Sequence, residues 1–310
     1  MIMRKTPRPQ DPGVLESNIT DVALVFEGGG MRCAHTAGVL VRLLEEGLFF
    51  DSVYGVSAGA SHVVNYVSRD PERARSSFVD LVLDPEFGGI GSMLKGQGYF
   101  NSKRLYEDMI AEAEGTDGVF CFDWNTFVAN PAKVHIEAYD WDTGLPRVFT
   151  KEDMTDSLDV ARKVRASSSL PVFMPPTFID GRGYMDGGLA DNWGICIHEA
   201  FEDGFDRAVV VRTQPKGYRK KPVGALTRGV LKAVYHKHPL IAERSIARPA
   251  AYNALCDEVE RLEQAGKVKV FYPDEMPITN SERDYETLSR VYDMGYAQSA
   301  RFVKELKDWL

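Results

Sequence analysis

Gly55-Val56-Ser57-Ala58-Gly59 is the stretch that decides how this chain reads. It fits G-x-S-x-G, in which a serine rides a sharp strand-to-helix turn and the flanking glycines leave room where a Cβ would clash. A short apolar strand pattern, Asp51 to Gly55, leads into it, and a helical pattern from Ala60 to Val67 follows. Just upstream stands a second glycine cluster, Gly28-Gly29-Gly30, behind the apolar run Val22 to Phe26. A glycine turn that opens a helix presents unpaired backbone N–H groups and the positive end of the helix dipole. A nucleophile beside such donors is the minimum equipment for acyl transfer: one part attacks a carbonyl, the other holds the oxyanion.

The order strand, helix, strand, helix predicts a parallel sheet with right-handed crossovers. The first helix is expected over Met31 to Glu46, with Gly47 as its stop. Functional loops then belong at the carboxyl ends of the strands, where both glycine motifs fall. Further strands are expected around Val134 to Ala138, Arg147 to Thr150, Arg207 to Thr213 and Lys267 to Tyr272. Thr177 to Asp180 and Tyr184 to Asp186 flank Gly181-Arg182-Gly183 and read as a hairpin. Helices are expected over Ser102 to Glu114, Ser157 to Arg165 and Arg283 to Leu310, and Gly88 to Gly98 reads as a mobile loop.

The chain has 310 residues, 44% hydrophobic and 26% charged, an ordinary globular composition. Nothing in it forces two domains. The expected organisation is a polar N-terminal extension over 1–20 and one α/β domain over 21–310. That domain carries a basic excursion at about 214–250 and a C-terminal strand and helix. The N-terminus has no apolar run behind its basic residues, so it does not read as a secretory signal. No window approaches the ~18 apolar residues of a membrane span. The four cysteines, Cys33, Cys121, Cys196 and Cys256, form no C-x-x-C pair and read as reduced thiols of a cytoplasmic protein.

Net charge is −8, unevenly spread. Between Gln214 and Ala250 nine Lys or Arg stand against one acid, Glu243. Leu226, Val230, Leu231 and Val234 are interleaved with Arg228, Lys232 and Lys237. The segment reads either as a solvated loop or as an amphipathic element lying against an anionic membrane surface.

Ser57 needs a base. Six histidines are available: His35, His62, His135, His198, His236 and His238. None stands in an evident catalytic loop beside an acid. Asp186 is the better candidate, because it ends a predicted strand and is followed by Gly187-Gly188, which let the chain turn and approach closely.

Four motifs in order now resemble a known family. They are Glu27-Gly28-Gly29-Gly30-Met31-Arg32, the elbow at Ser57, Val164-Arg165-Ala166-Ser167-Ser168-Ser169-Leu170-Pro171, and Met185-Asp186-Gly187-Gly188. Together they are similar to the signatures of patatin-like phospholipases, over roughly Val22 to Asn192. The tail around Gly295-Tyr296 resembles the bacterial branch. The resemblance implies a patatin/lysophospholipase-like α/β fold, a three-layer sandwich with a mainly parallel central sheet. It implies a Ser57–Asp186 dyad, with Gly28, Gly29, Gly30 and Arg32 as the oxyanion loop and Gly55 and Gly59 framing the elbow. It implies a serine acyl hydrolase acting on a lipid ester, with no metal, cofactor or nucleic acid. Two other functions stay open: acyl transfer to an acceptor other than water, and a non-catalytic membrane-binding protein. Cys33 favours the last, because the family loop ordinarily has glycine there, and a position needing positive φ would be strained. Gly28-x-Gly30-x-x-Cys33 is also a near miss of a dinucleotide fingerprint, with Asp51 about where a ribose-binding acid would stand. Cys33 can further be read as a redox thiol or as a small packing residue.

Overall fold

A computed structural model describes Lys5 and residues 12–310. Half of the expected N-terminal extension, residues 1–4 and 6–11, therefore lies outside the described residues. Eight strands form one sheet: β1 Val22–Phe26, β2 Ser52–Val56, β3 Lys133–Asp140, β4 Pro146–Phe149, β5 Thr177–Ile179, β6 Arg182–Asp186, β7 Arg207–Val211 and β8 Val268–Phe271. The pairings β3-β2-β1-β7-β8 are all parallel, and β4, β5 and β6 join antiparallel. Helices cover both faces. Val22, Leu24 and Phe26 of β1 belong to one core with α1 (Cys33–Glu45) and α2 (Ala58–Val67). The alternate residues Ala23 and Val25 pack on the other side with Tyr252, Leu255 and Val259 of the Pro239–Gln264 helix. This is the three-layer α/β arrangement expected.

The register on β3 holds the main structural point. Ile136 and Glu137 pair with β2 and with β4, and Ala138 and Tyr139 pair with β4 and with β6. A strand residue has only two edges, so β2 and β6 share one edge of β3. β2 occupies it up to Val56, opposite Glu137, and β6 takes it over with Asp186, opposite Ala138. The carboxyl end of β2 and the carboxyl end of β6 thus meet head to head. A side chain at Gly187 has no room in this junction, since a Cβ there would stand 1.9 Å from the Glu137 carbonyl oxygen.

Most sequence-predicted elements stand within a few residues of their expected limits. The Ser102–Glu114 helix begins as a π-helical turn, Arg104–Asp108, before Met109–Ala113. The glycine-rich stretch 88–98 contains a short helix, Ile90–Leu94, with no buried residue. The 26-residue helix Pro239–Gln264 was not expected, because Pro249 lies inside it. Proline removes one intrahelical N–H and ordinarily ends a helix. Here buried Ile241, Tyr252, Leu255, Cys256 and Val259 anchor both halves.

A buried polar network ties that helix to the end of β1. Glu27 and Arg212 are both 2% exposed, and Arg212 Nε donates to Glu27 Oε2 at 2.9 Å. The Thr213 N–H donates to the same oxygen at 2.6 Å, and Tyr252 Oη donates to Oε1 at 2.5 Å. Burial alone would push the Glu27 carboxyl up; Arg212, the Tyr252 hydroxyl and the Thr213 N–H outweigh it and hold it below its ordinary range. A depressed native value keeps this stabilisation in place at neutral pH and loses it only as pH falls through that value. Removing one partner of such a pair strands a buried charge. Glu27→Gln is therefore expected to destabilise the fold by about 3–5 kcal/mol. Glu27→Leu combined with Arg212→Met should recover much of that loss, read as a denaturant-unfolding double-mutant cycle.

Candidate active site

Ser57 sits between β2 and α2 with φ 57° and ψ −133°, a strained backbone state for a residue with a Cβ. The glycines around it explain how the turn closes. A Cβ on Gly55 would stand 2.5 Å from the Gly59 carbonyl oxygen, and one on Gly59 would stand 2.4 Å from that of Phe26. The Ser57 N–H donates to Ser167 Oγ at 2.9 Å, and Ser167 Oγ in turn donates to the Glu137 carbonyl at 2.6 Å. Two residues on, the Ser169 carbonyl accepts from the Asp186 N–H at 2.9 Å. One serine-rich turn therefore fastens both candidate catalytic residues. Its motif was visible in sequence, but this double attachment was not.

Asp186 is 1% exposed, and its Oδ1 accepts from the Gly188 N–H at 2.9 Å. Oδ2 has no hydrogen bond of good geometry. Burial pushes the carboxyl above the ordinary aspartate range; Arg248, the Ser57 hydroxyl, the Gly188 N–H and Lys220 oppose that rise. The Ser57 hydroxyl thus faces the carboxylate, in the loose contact common before substrate tightens a site. Asn192 braces the turn after Asp186. Its Nδ2 donates to the Gly187 carbonyl at 3.0 Å and to Glu137 Oε1 at 2.7 Å, and its Oδ1 accepts from the Gly194 N–H at 2.7 Å.

In the glycine loop, the three N–H groups have different surroundings. Gly28 donates to the Gly194 carbonyl at 3.0 Å, so its N–H is taken. Its part is steric, because a Cβ there would meet the Val56 carbonyl oxygen at 2.8 Å and Ser57 Cβ at 3.0 Å. The Gly29 N–H faces the Cys33 sulfur. Gly30, at φ 56°, lines a cavity together with Ser57, and among the described residues its N–H has no acceptor. Arg32 is half-buried, with an unpartnered Nε.

Cys33 does not need glycine's freedom. Its φ is −65°, ordinary right-handed helix, so the expected strain is absent. Burial pushes its thiol up to about 12, which keeps it protonated and unsuited to redox chemistry. Asp51 precedes β2, at the end of the strand away from the glycine loop, so the ribose-acid geometry of a dinucleotide site is missing.

The histidines lie elsewhere. His62 is fully buried, shares a 2.8 Å hydrogen bond with Thr36 Oγ1 and is depressed to about 3 by burial. His35 is likewise depressed by burial, to about 4. His198 pairs with Glu258, His236 bonds the Ala233 carbonyl, and His238 stacks on Trp141. His135 packs against Tyr54, 3.6 Å from Glu137.

The cavity beside Ser57 is lined mainly by apolar side chains, among them Phe78, Phe87, Phe100, Met109, Ile110 and Val164. Among the described residues, no group of histidines, cysteines and acids is placed to hold a metal ion. No helix of the described residues is long and apolar enough to cross a membrane.

Comparison with known proteins places this site in context. Residues 24–200 match the profile described as patatin-like phospholipase, and residues 238–310 match a domain of unknown function (DUF6363). The uncharacterized protein YjjU of Escherichia coli (strain K12) is 30% identical over 213 residues, 67% of this chain and 54% of that protein. The chain thus spans about half the length of this curated relative. VipD of Legionella pneumophila superposes with a TM-score of 0.49 at 16% identity, over 98% of this chain and 72% of that one. The first profile runs across β1 through β6 and includes the elbow, the serine-rich turn and the Asp186 turn. A match over more than half of its length makes this chain a member of the patatin-like phospholipase family.

Proposed function

We propose that the protein is a serine acyl hydrolase of lipid esters that works through Ser57 and Asp186. The observation that carries this reading is the meeting of β2 and β6 on one edge of β3, beside an apolar cavity that includes Ser57. In this mechanism the acyl chain lies in the cavity and its carbonyl stands over Ser57. Asp186 takes the hydroxyl proton as Ser57 attacks. The Gly30 N–H, with the Ala58 N–H of the residue after the nucleophile, holds the oxyanion. Asp186 passes the serine proton to the alcohol oxygen as the ester C–O bond breaks, then takes one from the water that attacks acyl-Ser57 and returns it to Ser57 Oγ as the carboxylic acid leaves. A buried carboxyl raised above its ordinary range suits a general base, because a carboxylate of low basicity takes a serine proton poorly.

A lipid surface is the second part of the proposal. The front of the basic segment is engaged within the protein: Lys216 pairs with Glu263, and Arg219 pairs with Asp257 and Glu260. The Ala225–Val234 helix is different. Leu226, Val230 and Val234 recur every four residues and are 84%, 43% and 54% exposed, so one apolar stripe faces outward. Exposed Arg228, Lys232 and Lys237 flank it. An unburied apolar stripe edged by cations fits the boundary of an anionic bilayer.

Ser57→Ala is expected to abolish fluorophosphonate labelling and hydrolysis of p-nitrophenyl butyrate in a protein that still folds. Asp186→Asn should be nearly as damaging, with a loss of about a thousandfold or more, while none of the six histidines replaced singly by Asn has that effect. A folded Ser57→Ala protein with full esterase activity would falsify the mechanism.

The pH profile gives a further expectation. Asp186 works only when ionised, so kcat/KM should fall on the acid side with one proton. Asp186 faces Ser57, the Gly188 N–H, Arg248 and Lys220. Removing either cation takes away a charge that favours the carboxylate, so the acid limb should move to higher pH.

For the surface, Leu226→Glu with Val230→Glu should weaken co-sedimentation with phosphatidylglycerol vesicles. Wild-type binding should itself fall with added salt. Equal binding by wild type and variant would remove this helix from the proposal.

A further inference from the structure

Arg248, Tyr252 and Cys256 are spaced four residues apart on the Pro239–Gln264 helix and so form one stripe. Tyr252 and Cys256 are buried against Arg212, and Tyr252 also reaches Glu27. The stripe thereby delivers Arg248, one turn earlier, to the catalytic junction. Arg248 Nε donates to the Gly188 carbonyl at 2.9 Å. Its Nη2 lies so close over the next turn that a Cβ on Gly188 would stand 2.7 Å from it, and one on Gly194 3.4 Å. Gly188 holds Asp186, and Gly194 holds Gly28.

Lys220 is fastened to the same helix. Asn253, beside Tyr252 on the same helix, clamps its backbone, donating to the Lys220 carbonyl at 3.0 Å and accepting its N–H at 2.7 Å. The ammonium lies 3.6 Å from the centre of the Tyr252 ring. Burial pushes it well below the ordinary lysine range, and the nearby Arg248 and Arg32 push it further, against the pull of Glu27.

The charges do not balance. Glu27 is paired with Arg212 and reaches Lys220 only at longer range, and Asp186 is the carboxylate that faces Arg248 and Lys220. Around it stand Lys220, Arg248 and Arg32, all half-buried. Among the described residues none of the three has a carboxylate within salt-bridge distance. Three basic groups thus share one carboxylate, and a neutral ester would leave that imbalance in place, whereas a bound anion would hold Lys220 in its charged form. A phosphate offers several acceptor oxygens and one or two negative charges, which suits a planar guanidinium and an ammonium together.

We propose that Lys220 and Arg248 form an anion subsite beside Ser57 and Asp186 that receives the phosphate of the substrate's head group. This deepens the hydrolase reading and rests on it. Both residues lie outside the 24–200 profile match, so the C-terminal half supplies selectivity to a reaction carried by the N-terminal half.

Two water-soluble esters with one acyl chain test this: 1-hexanoylglycerol 3-phosphate and 1-hexanoylglycerol. Wild type is expected to favour the phosphate ester. Lys220→Met and Arg248→Gln should each lower the ratio of the two kcat/KM values by about tenfold or more, chiefly through KM for the phosphate ester. Arg248→Lys should retain more of the ratio than Arg248→Gln. An unchanged ratio in both variants would overturn the subsite. Calorimetry with sn-glycerol 3-phosphate reads the same site without turnover, so it stands even if Ser57 proves not to be the nucleophile. Binding by wild type that is lost in Lys220→Met supports the subsite; equal binding by both, or none by wild type, overturns it. Inorganic phosphate binding as tightly as glycerol 3-phosphate would assign the site to the free ion and overturn the head-group assignment.

Discussion

One edge of β3 shared by two strands is the constraint on which this molecule turns. Adjacent strands lie about 4.8 Å apart, and a full strand between Ser57 and Asp186 would separate them by twice that distance. Here no strand intervenes. β2 leaves the edge at Val56 and β6 enters it at Asp186, so the two side chains emerge from a single seam. Small residues are required at that seam by space alone: Gly187 against the Glu137 carbonyl, and Gly28 against Val56 and Ser57. The glycines that look like flexible punctuation in the sequence are positions where backbone meets backbone.

The seam is held by hydrogen bonds rather than by side-chain bulk. Ser167 and Ser169 fasten the two residues from below, and Asn192 closes the turn beyond. These are buried, nearly complete contacts, and completeness matters, since an unmade buried hydrogen bond costs more than a made one contributes. The atoms left unpartnered are then informative. Asp186 Oδ2 and the Gly30 N–H lie beside Ser57, where a reacting group would supply what is missing.

Local signals made a large part of this legible in the sequence. The elbow, the glycine loop and the Asp186 turn each announce themselves through glycine at fixed offsets, and β1, β2, β7 and β8 through short apolar runs. What depended on distant partners did not show. Glu27 and Arg212 are 185 residues apart in the chain, and nothing near either names the other. The Pro239–Gln264 helix was hidden by Pro249 and by having apolar contacts spread around it. Lys220 and Arg248 looked like members of a basic run, because charge counting cannot tell a cation facing solvent from one turned inward over a tyrosine ring. Cys33 was misjudged for a related reason: the motif suggested a glycine position, while the actual dihedral is one that any residue adopts.

The neighbour of β1 carries a last consequence, for how the chain can be cut. β1 lies between β2 and β7, and β7 begins at Arg207, after the 24–200 match ends. A fragment trimmed to that match would keep only Leu24 to Phe26 of β1 and leave their backbone groups bare along one edge. It would also bare Val25, which the Pro239–Gln264 helix covers. An apolar strand with an open edge is a template for joining another copy of itself. The boundaries that sequence profiles draw here mark stretches of shared ancestry. The packing of β1 runs past them, because β7 flanks it from the stretch between the two matches and the Pro239–Gln264 helix covers it from within the second.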